Sequence, residues 1–185
     1  MRLNNISFFF LILVGLISCK DTSSKNVKNE SREKIIEQGD MSIPTFDFKG
    51  FESKLHENDD KIHVINFWAT WCKPCIAELP YFDKIDKEYA SKDVKVTLVS
   101  LDFPNQVESR LIPFIKNKNI KSDVVFLDDP KGNSWIPKVD ESWSGAIPAT
   151  VFYKNGKKKF FERSFTYEEL SIELDKFIKS TKNKD

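Results

Sequence analysis

The sequence predicts an α/β domain with a central mixed sheet and flanking helices, and three observations support this fold class. The apolar run His63–Trp68 is followed by a predicted helix, Ile76–Tyr89, and then by a second apolar run, Val94–Leu101. A strand–helix–strand unit of this kind places its two strands parallel. Further along, Asn155-Gly156 joins two more strands with the residues of a type I′ hairpin, which adds antiparallel pairing.

The elements before and between these runs follow in chain order. A short edge strand is predicted at 43–48, because Pro44 is tolerated only at a sheet edge or at the start of a strand. A short helix is expected at 51–57. Another helix is expected at 106–116, where apolar residues recur at helical spacing, and Pro113 should kink or shorten it.

The last third of the domain completes the sheet. A short strand at 124–127 precedes an irregular stretch, 128–145. The hairpin strands are expected at 149–153 and 158–163. A closing helix at 167–179 carries an apolar face. The predicted order is therefore β-α-β-α-β-β-α, with additional segments at the front and in the middle.

Residues 1–18 are predicted to be a signal peptide. Arg2 gives a short positive segment, and the apolar run Ile6–Ile17 has the length of a signal-peptide core but is short for a membrane span. Leu16-Ile17-Ser18-Cys19 resembles the bacterial lipobox, which implies cleavage before Cys19 and acylation of its sulfur and its new amine. An ordinary signal peptide or an uncleaved anchor is the alternative.

The stretch 19–40 is predicted to be a polar tether, because its early part has little apolar content and no periodicity. The folded domain is then expected at 41–181. Net charge is +1 for the whole chain, and after removal of 1–18 the 28 basic side chains balance the 28 acidic ones. This balance gives no support to nucleic-acid binding or to another polyanionic partner.

Cys72-Lys73-Pro74-Cys75 lies between a predicted strand and a predicted helix, which is typical of a thiol–disulfide exchange site. Cys72 is the candidate nucleophile, because the helix dipole and the charge of Lys73 favour its thiolate and the position should expose it. Cys75, one turn later, is the candidate resolving thiol. A structural disulfide is an alternative. So is a zinc site, which needs about four ligands, and only His56 and His63 could add imidazoles.

The block Asn66–Cys75 resembles the active-site block of the thioredoxin superfamily. It is most similar to the membrane-anchored TlpA/ResA-like thiol–disulfide oxidoreductases of the bacterial envelope. Glu78, Pro80 and Ile147-Pro148 stand at the distances expected for that family. The resemblance covers 43–179 and implies a thioredoxin-like fold with an N-terminal extension and an insert before a cis-proline.

The resemblance also implies roles for residues around the cysteines. Pro148 is expected to be cis and to lie against Cys72, with the backbone of Ile147 pairing with an extended partner. Glu78 is expected to accept a proton or to line the partner cavity, a surface acid being the alternative. Asn66 replaces the buried aspartate of thioredoxin and cannot titrate, so base catalysis would pass to Glu78 or water.

The four tryptophans have different expected roles. Trp68 should point into the core, and Trp71 should flank the thiols as a flat docking surface. Trp135 and Trp143 could wall the same groove, and core packing is the equal alternative.

The implied function is that of an extracytoplasmic thiol–disulfide oxidoreductase, held in the bacterial cell envelope by lipid on Cys19 and facing the periplasm. It would reduce disulfides of envelope proteins, such as apocytochrome c during cytochrome c maturation or metallochaperone thiols. Electrons would come from a membrane donor, with no cofactor beyond the Cys72–Cys75 disulfide, and the protein is expected to be a monomer.

Three other functions remain open from the sequence. One is an oxidase or isomerase that uses the same residues. Another is a thioredoxin-like binding module whose cysteines deliver a metal. A peroxiredoxin-like peroxidase is disfavoured, because Ala69 stands where that active site needs a threonine.

Overall fold

The structure is a computed structural model, and it describes residues 33–182 of the 185-residue chain. In this part of the chain, one sheet of seven strands carries helices on both faces. The strands are β1 (Glu33–Gln38), β2 (Met41–Phe46), β3 (Ile62–Trp68), β4 (Val94–Ser100), β5 (Asp123–Leu127), β6 (Ala149–Lys154) and β7 (Lys157–Phe161). The α-helices are α1 (Phe48–Phe51), α2 (Lys73–Glu88), α3 (Ile112–Lys118), α4 (Gly132–Val139) and α5 (Tyr167–Lys182).

The strand order across the sheet is β1-β2-β5-β4-β3-β6-β7. β2, β5, β4 and β3 are parallel, whereas β1, β6 and β7 pair antiparallel with their neighbours. The predicted mixed sheet is therefore confirmed. The hairpin turn lies at Asn155-Gly156, where both residues have positive φ, as a type I′ turn requires.

β3 is the central strand, and all seven of its residues are buried. Successive side chains of a strand point to opposite faces of the sheet, so β3 contributes to two separate cores. Val64 and Trp68 pack with α2, α3 and α5 on one face. Ile65 and Phe67 pack with α1 and α4 on the other. Each large apolar side chain buried in this way contributes about 1.5–3 kcal/mol of hydrophobic free energy.

Two segments differ from the sequence prediction. Glu33–Gln38 was expected to belong to the polar tether, but it forms β1, which pairs with β2 along its whole length. Partly buried Ile36 packs on the core, and pairing with β2 supplies the hydrogen bonds that the polar composition did not suggest. The stretch 128–145 was expected to be irregular, but it contains α4, because Trp135 and Val139 are buried on one side of that helix.

The strand predicted at a sheet edge over 43–48 is β2, Met41–Phe46. The edge position is wrong, because β1 pairs with β2 on its outer side.

The bounds of the two neighbouring helical segments also differ from the prediction. A helical segment begins earlier than expected, at Phe48, because the Asp47 carboxylate accepts the Gly50 N–H at 2.9 Å. The region predicted as one helix at 106–116 is a 3₁₀ turn and a π-turn that lead into α3. Pro113 is the second residue of α3, which continues directly from the π-helical turn Val107–Leu111. The regular α-helix is therefore shorter than the predicted span, as expected for a proline within it.

The predicted signal peptide and Cys19 lie outside the described residues. Among residues 33–182, no helix combines the length and apolarity that crossing a membrane requires.

Candidate active site

The site forms where the carboxyl end of β3 meets the beginning of β6. The two strands are antiparallel, with Phe67 opposite Ala149. The loop that leaves β3 therefore meets the residues that precede β6, and this brings Cys72 next to Ile147-Pro148. The Sγ atom of Cys72 lies 3.7 Å from the carbonyl oxygen of Ile147.

Cys72 and Cys75 form a disulfide at the start of α2, with their Cα atoms 5.3 Å apart. Cys72 is the residue that caps α2, and its sulfur accepts the Cys75 N–H at 3.3 Å. In the reduced protein, the same N–H and the helix dipole would stabilise a thiolate on Cys72.

The prediction that Cys72 is exposed is wrong for the disulfide form of the protein. Cys72 is 6% exposed and Cys75 is 0% exposed, so both sulfurs are buried in the disulfide form. Cys72 is nevertheless the more accessible of the two, in agreement with its assignment as the thiol that meets the partner. Lys73 and Trp71, on either side of Cys72, are exposed.

The peptide bond between Ile147 and Pro148 is cis, as predicted. Pro148 is buried and directly precedes β6, and Ile147 is partly buried against both cores. The pairing of the Ile147 backbone with a partner stays a prediction.

Glu78 is buried, with only 1% of its surface exposed, so the alternative of a surface acid is wrong. Its carboxylate accepts the Phe165 N–H at 2.8 Å and the Asn66 side-chain N–H at 3.1 Å. Burial raises the pKa of Glu78 to about 7, since desolvation disfavours the charged form more than these two hydrogen bonds and the charge of Arg163 favour it.

Asn66 connects β3 to α2 and β6. Its Nδ2 atom donates to Glu78 and also to the Thr150 hydroxyl at 3.1 Å. The Oδ1 atom of Asn66 is buried and has no hydrogen-bond partner among the described residues. Asn66 therefore donates a hydrogen bond to the Glu78 carboxylate. Because its amide does not titrate, it can do so at any pH.

A second buried carboxylate, which the sequence analysis did not single out, holds the loop before the disulfide. Asp102 accepts the Thr70 N–H at 3.1 Å and the Thr70 hydroxyl, and Ser100 donates to it at 2.9 Å. Arg110 donates to the Thr70 carbonyl at 3.1 Å. Three groups on Thr70 are thus fixed two residues before Cys72.

The strand register could have revealed this pair. β3 and β4 are parallel, with Trp68 opposite Ser100. Thr70 and Asp102 each lie two residues further along, so the carboxyl ends of the two strands bring them together. An acid directly after a buried strand was the available signal.

The four tryptophans take two kinds of position, in the core or beside the disulfide. Trp68 is fully buried, as predicted. Trp71 is 46% exposed beside the disulfide and stacks on Phe103, with ring centroids 6.3 Å apart. Trp135 and Trp143 are buried in the core on the other face of the sheet, so they do not wall the groove.

The two histidines do not join the cysteines. His63 lies near the beginning of β3, five residues before Trp68, which puts the opposite end of β3 roughly 17 Å away. Its Nε2 atom contacts Asp59 at 2.8 Å and Glu57 at 3.6 Å, and these three residues are the described cluster that could hold a metal ion. The ring of His56 packs edge-on against Tyr153.

The chain is similar to known proteins in sequence and in fold. The AhpC/TSA family model matches residues 39–155. The thiol-disulfide oxidoreductase ResA of Oceanobacillus iheyensis is 34% identical over 113 residues, covering 57% of this chain and 56% of that protein. The matched stretch therefore spans just over half the length of that relative.

A second relative aligns over almost the whole chain, and a solved structure shares the fold. ResA of Bacillus thuringiensis subsp. konkukian is 25% identical over 182 residues, covering 97% of this chain and 98% of that protein. The crystal structure of StoA from Bacillus subtilis superposes with a TM-score of 0.52 at 26% identity. The superposition covers 76% of this chain and 92% of that one.

Proposed function

Because the chain belongs to the AhpC/TSA family and has a thioredoxin-like fold, we propose that it is a thiol–disulfide oxidoreductase whose reactive groups are Cys72 and Cys75. The observation that carries this proposal is the Cys72–Cys75 disulfide at the first turn of α2, with the cis Ile147-Pro148 peptide against it. The relatives named thiol-disulfide oxidoreductase support it.

In the reducing direction, the Cys72 thiolate attacks one sulfur of a partner's disulfide. A bond forms between that sulfur and Cys72, and the other partner sulfur leaves as a thiolate. Cys75 then loses its proton and attacks Cys72, which closes the Cys72–Cys75 disulfide and releases the second partner thiolate. The partner gains two electrons and this protein loses two. The proton of Cys75 leaves the thiol in this step, and the two partner thiolates take up protons from solvent.

Glu78 is placed to take part in the proton movements. It lies three residues after Cys75, on the same helix, and its pKa of about 7 lets it hold or release a proton near neutral pH. The buried carboxylate is held by Phe165 and Asn66, from two other segments of the fold. We assign Glu78 as the group that receives the proton of Cys75, directly or through water.

The proposed setting is extracytoplasmic, with the domain anchored to a membrane of the bacterial envelope through lipid on Cys19. The lipobox-like residues before Cys19 support the anchor. We further propose that the protein reduces its partners, which are disulfide-containing envelope proteins such as apocytochrome c or metallochaperones. A membrane electron donor would re-reduce the Cys72–Cys75 disulfide after each cycle.

Trapping of covalent intermediates tests the roles of the two thiols. In Cys75→Ser, Cys72 can attack a partner but nothing resolves the mixed disulfide, so partners should accumulate as complexes that dithiothreitol releases. Cys72→Ser, the matched variant, should capture none. Capture by Cys72→Ser alone would reverse the two assignments, and capture by neither would contradict the proposed activity.

The reduction potential of the pair tests the direction of electron flow. Known oxidoreductases run from about −270 mV for reductases to about −120 mV for strong oxidants. A reductase should have a potential towards the negative end, and Cys72 and Cys75 should be found largely reduced in cells. A potential above about −150 mV, with a fully oxidised pair in cells, would instead support the oxidase function.

A further inference from the structure

Two exposed aromatic rings lie together beside the disulfide. Among the described residues, four large apolar side chains are exposed, namely Ile35, Trp71, Phe103 and Ile172. Trp71 and Phe103 stack on each other with an interplanar angle of 27°. Both come from loops, Trp71 from the loop before α2 and Phe103 from the loop after β4. Paired exposed rings of this kind are typical of interaction surfaces.

Buried hydrogen bonds hold the backbone beneath both rings. Trp71 follows Thr70, and Phe103 follows Asp102, and these two preceding residues are joined by the buried carboxylate. The Leu101 N–H also donates to the Trp68 carbonyl at 2.8 Å, which ties the two loops together at their start. The rings are therefore solvent-exposed, but the backbone that carries them is fixed. Ordering the rings when a partner binds should cost little free energy.

The position of the two rings limits which part of a partner can bind to them. Trp71 is the direct neighbour of Cys72, and successive Cα atoms are about 3.8 Å apart. When a partner's cysteine is bonded to Cys72, the residues beside that cysteine are therefore within reach of the rings. Two stacked ring faces favour an apolar side chain, an aromatic one above all. A cation could also lie over such a face, which makes it the competing occupant.

We infer that Phe103 is a specificity-determining residue, which together with Trp71 receives a large apolar side chain next to the reacting cysteine of an extended polypeptide substrate. This inference rests on the proposed function and adds a rule for substrate choice. It predicts that the protein distinguishes between substrates by the residue beside their cysteine.

The test uses three peptide disulfides that are identical except for the residue next to the cysteine, which is Phe, Ser or Lys. The reduced protein should reduce the Phe peptide with a kcat/KM about three- to tenfold above that of the Ser peptide, the range expected for an aromatic pair. In Phe103→Ser, the ratio between the two peptides should fall towards one. In Phe103→Trp, which restores a ring, the preference should be kept.

Ile172→Ser is the matched control, because it also replaces an exposed apolar side chain but lies on α5. It should keep the wild-type ratio. The ratio is measured within each variant, so a general loss of activity does not change it. An unchanged ratio in Phe103→Ser, or a wild-type preference for the Lys peptide, would overturn the inference.

Hydroxyethyl disulfide, which has no residue beside its sulfurs, separates this inference from the proposed function. If wild-type protein reduces it but does not discriminate between the peptides, the activity stands and the aromatic selection is wrong. If wild-type protein reduces neither hydroxyethyl disulfide nor any peptide, the proposed function itself fails.

Discussion

Glu78 owes its chemistry to its surroundings rather than to its residue type. A glutamate in a helix, three residues after the second cysteine, would ordinarily be solvated and ionised. Here the turn that carries it faces β3 and the segment before α5, and the carboxylate has little water around it. Its two hydrogen-bond donors only partly offset that burial, so the pKa rises to about 7.

The raised pKa predicts how stability depends on pH. The folded protein binds the Glu78 proton more tightly than the unfolded chain, whose carboxyl has an ordinary pKa of 4.5. The contribution of this proton to the free energy of unfolding is therefore complete below about pH 4.5. It is lost as the pH rises through about 7, and the total loss is about 3 kcal/mol. Glu78→Gln, which does not titrate, should lack this loss in urea unfolding of the oxidised protein.

The comparison needs a control, because other groups also titrate in this range. Glu141→Gln, which changes an exposed carboxylate, should follow the wild-type pH dependence. The measured quantity is the difference in the free energy of unfolding between wild type and variant at each pH. A difference that stays constant from pH 4.5 to 7.5 for Glu78→Gln would contradict the assignment.

The sequence predicted the residues whose chemistry is visible in local spacing. Cys72 and Cys75 are close in the chain, and Pro148 follows from the resemblance. Asp102 was missed because its role depends on a neighbouring strand 32 residues away from Thr70. The burial of Glu78 was missed in part for the same reason, since one of its donors, Phe165, is 87 residues away.

At the level of elements, the loop between β3 and α2 is held by hydrogen bonds at its start, its middle and its end. At its start, the Trp68 carbonyl accepts the N–H of Leu101, which directly follows β4, and in its middle Thr70 donates to Asp102. Its end is the first turn of α2, where the Cys75 N–H meets the Cys72 sulfur. These hydrogen bonds, together with the bond from the Thr70 hydroxyl to Asp102, fix the backbone that carries Cys72.

Asp102→Asn should weaken this loop. The amide offers one acceptor oxygen where the carboxylate offered two, so at least one of the donors from Thr70 and Ser100 is left buried without its partner. The free energy of unfolding should fall by about 1–3 kcal/mol in urea denaturation of the oxidised protein. Asp60→Asn, on an exposed turn, is the control, and an equal effect of the two substitutions would show that Asp102 does not hold the loop.

β1 and α4 show what single-sequence patterns do not reveal about elements. β1 reads Glu-Lys-Ile-Ile-Glu-Gln, and only one of its side chains is even partly buried, so its stability comes from pairing with β2. α4 contains Gly132 and Pro137, which are poor helix formers, and it is fixed by burial of Trp135 and Val139. In both cases tertiary contacts outweigh local propensity.

For the whole molecule, the sheet divides the domain into two cores and leaves the reactive groups at one end. The core that includes α2 contains the disulfide, and Asn66 and Glu78 lie on the same face. The other core, with α1 and α4, is rich in aromatic rings and supports β3 from behind. The central position of β3, buried along its entire length, gives the disulfide a rigid base.

The predicted anchor is tested on the whole chain in cells. In Cys19→Ala the sulfur that is proposed to carry lipid is absent, whereas residues 33–182 are unchanged, so the protein should fold and leave the membrane fraction. The measurement is its distribution between pellet and supernatant after ultracentrifugation, with Ser18→Ala as the matched control that should stay in the pellet. Pelleting of Cys19→Ala would favour an uncleaved N-terminal anchor.

The direction of β1 determines where such an anchor would attach to the domain. β1 runs opposite to β2, and Glu33 pairs with Phe46, which in turn pairs with Leu127 at the carboxyl end of β5. The chain thus enters the sheet at the register level where β3 ends and the disulfide lies. The 14 residues from Cys19 to the start of β1 span at most about 50 Å. If Cys19 carries lipid as proposed, the tether joins the domain at the end that holds the disulfide. The Cys72–Cys75 pair would then face the bilayer at a distance that this span limits, where the proposed membrane electron donor could reach it.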